Sequence, residues 1–155
     1  MNRTEAGTGW LIKSVRLGDR DLADVGVDVR GGTSLSGLVL TLTDRPSELT
    51  GRVLDQAGAP VSLFPVVIFS TDPAHWRTGS RRVLAVQPAT DGGFLVAGLP
   101  PGTYHLAAVT EVDPRELASP VFLESLIPAA ITVTMGDGAH VRQDIRVQGG
   151  PPFLR

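Results

Sequence analysis

An all-β protein, an antiparallel sandwich with one short helix, is the fold this sequence predicts, and three observations carry the prediction. Apolar residues recur at every second position in runs of five to seven residues, the period of half-buried strands. The 18 glycines and 12 prolines are many for a helical chain and suit a fold with frequent turns. The stretch from about 114 to 126 changes period and carries the one short helix.

Size and charge set the outer limits. A chain of 155 residues is long enough to bury a core without a staple, and it has no cysteine, so disulfides and thiolate metal sites are excluded. The net charge is -2, and the 14 basic residues, of which only Lys13 is a lysine, are spread along the chain. That distribution argues against a nucleic-acid partner. No run approaches the length of a membrane span, and the first nine residues lack the apolar core of a signal peptide, so the expectation is either a cytoplasmic protein or an internal piece of a longer exported chain.

The elements follow in order. Residues 9 to 17 form the first strand, and Gly18-Asp-Arg-Asp21 a polar turn. Val25, Val27 and Val29 share one face of a second strand; Leu38, Leu40 and Leu42 alternate along a third, which Pro46 closes. A new set starts at Glu48, where Leu49, Gly51 and Val53 share a face, before a turn at Asp55-Gln-Ala-Gly58. Phe64-Pro-Val-Val-Ile-Phe69 is continuously apolar except for Pro65, as a strand covered on both faces is. A loop runs from Ser70 to Ser80, and Arg82 to Val86 is the next strand.

Thr90-Asp-Gly-Gly93 and Leu99-Pro-Pro-Gly102 are turns. Phe94 and Val96 point together between them, and Tyr104, Leu106 and Ala108 follow on one face. Asp113 is a candidate helix cap with Pro114 in the first turn, Val121 to Leu126 forms a short helix, Pro120 splits the region, and Pro128 ends it. Ile131, Val133 and Met135 form one strand, and Val141, Ile145 and Val147 another, whose opposite face carries Arg142, Asp144 and Arg146.

Residues 9 to 43 repeat the pattern of residues 102 to 147: a strand beginning near Gly and an aromatic, a variable link, then two alternating strands around a turn. On this basis residues 1–46 are the last strands of a preceding partial sandwich, 47–148 a complete one, and 149–155 a tail. Trp10, Val27 and Leu40 must then pack on the complete sandwich or on another chain, and self-association through residues 1–46 is expected.

Leu49-Thr-Gly-Arg-Val-Leu-Asp-Gln-Ala-Gly-Ala-Pro-Val61, Val66-Val-Ile68, Thr90-Asp-Gly-Gly-Phe94 and Leu99-Pro-Pro-Gly-Thr-Tyr-His-Leu106 resemble the carboxypeptidase regulatory-like domain family. Asp72-Pro-Ala-His-Trp76 is similar to a stretch in the tandem copies of large exported bacterial proteins. The resemblance implies a transthyretin-like, seven-stranded sandwich of Ig-like architecture. It further implies a non-catalytic accessory module, periplasmic or at the cell surface, that spaces domains or binds a protein partner.

The candidate binding residues are His75, Trp76 and Arg77 in the long loop, with Tyr104 or Trp10 as a second aromatic platform. A loop Trp between donors stacks on a sugar, making a carbohydrate-binding module the alternative function; or it folds back to cover the sandwich. His75, His105 and His140 lack the spacing of a metal or acid-base set, so no cofactor and no enzyme activity are expected. Ser34-Leu-Ser-Gly37 is not a nucleophile elbow, and Asp91 and Asp137 are isolated turn residues without the alternating ligands of a calcium loop. The hydrolase of 5-hydroxyisourate shares the transthyretin-like fold, but its Tyr-Arg-Gly-Ser ending is not matched by Gly150-Pro-Pro-Phe-Leu-Arg155. An isopeptide bond of Lys13 would need Asn or Asp beside it with an acidic neighbour.

Overall fold

A computed structural model describes residues 9–24, 29–32 and 34–147. Two four-stranded sheets and a smaller three-stranded one make up the architecture. The N-terminal sheet holds β1 (Leu11–Leu17), β2 (Arg20–Asp21) and β3 (Leu38–Thr43) in the order β2-β1-β3. The strand expected over Val25 to Val29 lies mostly outside the described residues, and Val29 itself is exposed and not in a strand.

The remaining strands are β4 (Glu48–Leu54), β5 (Val66–Ser70), β6 (Val83–Val86), β7 (Gly93–Ala97), β8 (Gly102–Ala108), β9 (Ile131–Met135), β10 (His140–Arg142) and β11 (Ile145–Arg146). One sheet runs β6-β5-β8-β9, antiparallel throughout. In the other, β4 has antiparallel β7 on one side and parallel β10 and β11 on the other. The register of β10 and β11 against β4 is unchanged across the gap between them, so they are two halves of one interrupted strand. This parallel pairing departs from the antiparallel sandwich expected, because alternation along an edge strand is the same in either direction. It also makes the first and last strands of the sandwich neighbours, whereas immunoglobulin constant domains place them in different sheets.

Apolar side chains from both sheets meet in one core: Leu49 and Val53 of β4, Phe94 and Val96 of β7, Val66 and Ile68 of β5, Tyr104 and Leu106 of β8. The other face of β5 is also covered. Val67 and Phe69 lie in a second cluster with Trp76, Val83, Leu123 and Leu126. This double burial explains why the β5 run is apolar at successive positions.

Leu123 and Leu126 belong to α1 (Pro120–Leu126), which falls on the short helix expected over Val121 to Leu126. Pro120 begins the helix and so separates it from the preceding turn, since proline lacks the N–H that only the first turn can spare. Asp113 instead accepts a bond from the backbone N of Arg115 at 2.8 Å in a preceding turn.

Gly51 is fixed by a close approach. A Cβ there would lie 1.9 Å from the carbonyl oxygen of Gln143 and 2.7 Å from Phe94 Cζ. Its bare backbone lets the interrupted strand sit against β4 over the core.

None of the described residues of the N-terminal sheet enters either core cluster. Nor does that sheet repeat the strand pairing of its expected counterpart. β1 pairs directly with β3, whereas β8 and the β10–β11 strand lie in different sheets. The two stretches share alternation and turn spacing, which antiparallel pairs generally show, without sharing topology.

Candidate functional site

The loop that carries His75, Trp76 and Arg77 is pinned from within. Asp72 Oδ1 accepts from the backbone N of Ala74 at 2.9 Å and caps a single 3-10 turn, Pro73–His75. Ser70 Oγ lies 3.0 Å from His75 Nδ1 and accepts from the backbone N of Asp72 at 3.1 Å. These local bonds turn Trp76 inward, where its indole N–H donates to the carbonyl of Ser70 at 2.7 Å and its ring meets Phe69 edge-on at 5.8 Å. Trp76 is only 6% exposed. It covers the outer face of β5 and leaves no ring face for a sugar, so the stacking role does not hold. Arg77 stays exposed and donates to the carbonyl of Ala74 at 3.3 Å.

Tyr104 is not a platform either, being 0% exposed. Its hydroxyl donates to the carbonyl of Pro100 at 2.6 Å, back across the Pro-Pro-Gly corner from which β8 starts. This is the geometry of the tyrosine corners found in sandwich domains. Burial pushes the hydroxyl pKa from 10.0 up to about 12.

The same hydroxyl accepts from Arg82 Nη1 at 3.3 Å and so joins a part-buried polar cluster that ties the N-terminal sheet to the sandwich. Asp24 is its centre. Arg81 grips the carboxylate with two atoms, Nε to Oδ1 at 2.9 Å and Nη2 to Oδ2 at 3.2 Å, and Arg82 Nε donates to Oδ2 at 3.1 Å. The Asp24 side chain is 8% exposed. Burial by itself raises its pKa, but the hydrogen bonds and positive charge of Arg81, then of Arg82, outweigh it and hold the carboxyl below its ordinary 3.8. Arg81 Nη1 also donates to the carbonyls of Ile12 and Lys13 at 2.8 and 3.3 Å, and Arg82 Nη1 to that of Pro101 at 2.9 Å. One carboxylate and two guanidinium groups thus bolt β1 to the β8 end of the sandwich.

A cleft of about 360 Å³ lies beside the bolt, lined by Trp10, Ile12, Val15, Ala23, Gly79 and Gly98 among others. The guanidinium on its wall, Arg81, is engaged at Nε, Nη1 and Nη2. It offers a ligand an apolar surface with no free charge from that side chain.

Lys13 adds a weaker tie. Its Nζ is 2.6 Å from Asp137 Oδ2, in the turn between β9 and β10. Both side chains are open to water. The pair is an exposed ion pair, of the kind that contributes at most about 1 kcal/mol.

The histidines stay apart in role. His105 Nδ1 is 3.3 Å from Thr132 Oγ1, its ring is 5.1 Å from that of Phe69, and burial lowers its pKa. His140 lies 3.2 Å from Glu48 on the surface. Among the described residues no three His, Asp or Glu side chains come together in a way that would hold a metal ion, and no helix is long and apolar enough to cross a membrane.

No protein-family model matches this chain, and no curated protein matches it. Among solved structures it is similar to a DUF3823-family protein from Bacteroides ovatus, at 21% identity over 65% of this chain and 43% of that one, with a TM-score of 0.41. A streptococcal ancillary pilin is 14% identical over 70% of this chain and 34% of its own, at a TM-score of 0.46. The major pilin subunit of Bacillus cereus is 11% identical over 70% and 31%, at 0.47. The chain spans less than half the length of each. Likenesses of this size carry nothing about function, and the β-sandwich rests on its own strand pairings.

Proposed function

We propose that this chain is a non-catalytic accessory module of the carboxypeptidase regulatory-like kind, which holds a second β unit at a fixed orientation against the end of a sandwich. The observation that carries the proposal is the part-buried Asp24, Arg81 and Arg82 cluster, supported by Tyr104. Its charged groups hold backbone and one another, an arrangement suited to positioning. The inward packing of Trp76 supports this mechanical reading over the carbohydrate-binding one. On the same reading the protein belongs to a larger exported bacterial assembly, and its partners are the neighbouring domains that it spaces.

The proposal makes residues 47–148 the autonomous unit, since both apolar clusters lie within them. Expressed alone, that segment is expected to show a β-type circular dichroism spectrum and one cooperative thermal transition. A segment that is unfolded by both measures sinks the proposed boundary and the accessory role built on it.

A further inference from the structure

The N-terminal sheet is protected on one side and bare on the other. β2 pairs with only Arg16 and Leu17 of β1. Beyond its reach, Arg81 from the sandwich takes the carbonyls of Ile12 and Lys13, at the irregularity where the β1–β3 register shifts. β3 has no such cover. Among the described residues it pairs only with β1, and no backbone hydrogen bond leaves it for any other segment. Its sequence, Leu-Val-Leu-Thr-Leu-Thr, contains no charge, proline or glycine. Natural edge strands carry such features to prevent pairing with another chain.

The side chains are as open as the edge. Residues directly opposite one another in an antiparallel pair share a face. The pairs Ile12 with Leu42, Val15 with Leu40 and Leu17 with Leu38 therefore form one row of six aliphatic residues. Leu40 at its centre is 54% exposed, and Leu38 and Leu42 are also exposed.

We infer that β3 pairs edge to edge with β3 of a second copy of this chain, antiparallel and centred on Leu40. A strand meeting itself across a twofold axis is self-complementary, and an uncharged strand brings no repulsion to that contact. The faces set the register. Centring on Leu40 places it opposite Leu40 of the second copy, and Leu38 opposite Leu42 of the second copy, so the aliphatic row continues across the axis. A shift of one residue sets Leu40 against Thr41 and breaks the row. The product is a six-stranded sheet linking two sandwiches, which goes beyond the accessory role proposed above and does not depend on it.

The absence of cysteine makes the register directly testable. In an antiparallel pair directly opposite Cα atoms are about 4.5 to 5.5 Å apart, within the span of a disulfide. The full chain is expected to sediment as a dimer, and the Leu40→Cys variant to link to itself on mild oxidation. Leu38→Cys is expected to link only when mixed with Leu42→Cys. Leu40→Lys sets two ammonium groups opposite each other and is expected to weaken the dimer by about a hundredfold, with circular dichroism and the thermal transition retained. If Leu40→Lys does not fold, the two cysteine arms decide the question alone. A wild-type chain that stays monomeric at micromolar concentration overturns the inference. So do a dimer that ignores Leu40→Lys while that variant remains folded, and self-linking of Leu38→Cys as fast as that of Leu40→Cys.

Discussion

Replacing Asp24 with Asn tests whether the N-terminal sheet is bolted to the sandwich or merely rests on it. The substitution keeps the side-chain shape and one acceptor oxygen, but leaves Arg81 and Arg82, with side chains 10% and 17% exposed, without their shared counter-charge. Removing one member of a buried ion pair costs about 3 to 5 kcal/mol. The lower figure suits a cluster at the margin of a sheet, and about 3 kcal/mol corresponds to roughly a hundredfold rise in the fraction of molecules with the joint open. Amide hydrogen exchange read by mass spectrometry separates the regions. Peptides from β1 and β3 are expected to exchange about a hundredfold faster in the variant, while β5 and β8 keep their protection. The pH dependence has a defined sign. Because the folded pKa of Asp24 is depressed, its contribution is complete above the ordinary 3.8 and is lost as pH falls through the folded value. The wild-type joint should therefore loosen in acid below pH 3.8, and the variant should lack that component. Unchanged exchange in β1 and β3, or an equal loss of protection throughout the sandwich, refutes the reasoning.

Two further outcomes follow from the packing. Trp76→Ala removes a side chain that is 6% exposed, and is expected to cost about 3 to 5 kcal/mol in urea unfolding without creating or abolishing signal on a glycan array; glycan binding that the substitution removes would restore the stacking role. Tyr104 is the only tyrosine, so the phenolate absorbance band reports it alone. Its midpoint is expected at about 12 in the folded chain and at the ordinary 10.0 in urea. Since the folded pKa is raised, the linked stability is complete below pH 10.0 and is lost as pH rises toward 12; a folded-state midpoint at 10.0 would show that the hydroxyl is not held as described.

Most of the strands could be read from the sequence because each is local. The run from Val66 to Phe69 announces a strand buried on both faces, and that is where the structure puts it, between two apolar clusters. Leu99-Pro-Pro-Gly102 announces a corner, and Tyr104 bonds back across it. Strand direction and partner were not legible, since the alternation of Val141, Ile145 and Val147 is the same whether β4 runs with them or against them. The region before the helix was harder to read, because Asp113-Pro114 and Ser119-Pro120 both offer proline in a first turn. Only the second leads into a stretch whose Leu123 and Leu126 have a core to reach.

The candidate site moved for a related reason. Trp76 drew notice because aromatic residues in loops often bind, yet a large apolar ring beside an uncovered strand face gains more by burial than by waiting for a ligand. Asp24 and Arg81 drew none. A carboxylate and a guanidinium 57 positions apart leave no periodic mark, and the available signal was only the adjacent Arg81 and Arg82 where a long loop enters β6. Two neighbouring arginines at the mouth of a strand invite a search for one acid that serves both. Finding it at Asp24 shows how the N-terminal sheet is held: charge from the sandwich secures β1, through its carbonyls and through the segment after β2. Among the described residues nothing of that kind reaches β3. The same cluster that fixes one side of the sheet therefore presents the leucine strand on the other side in a fixed place, and rigid presentation lowers the ordering cost of pairing with a second copy.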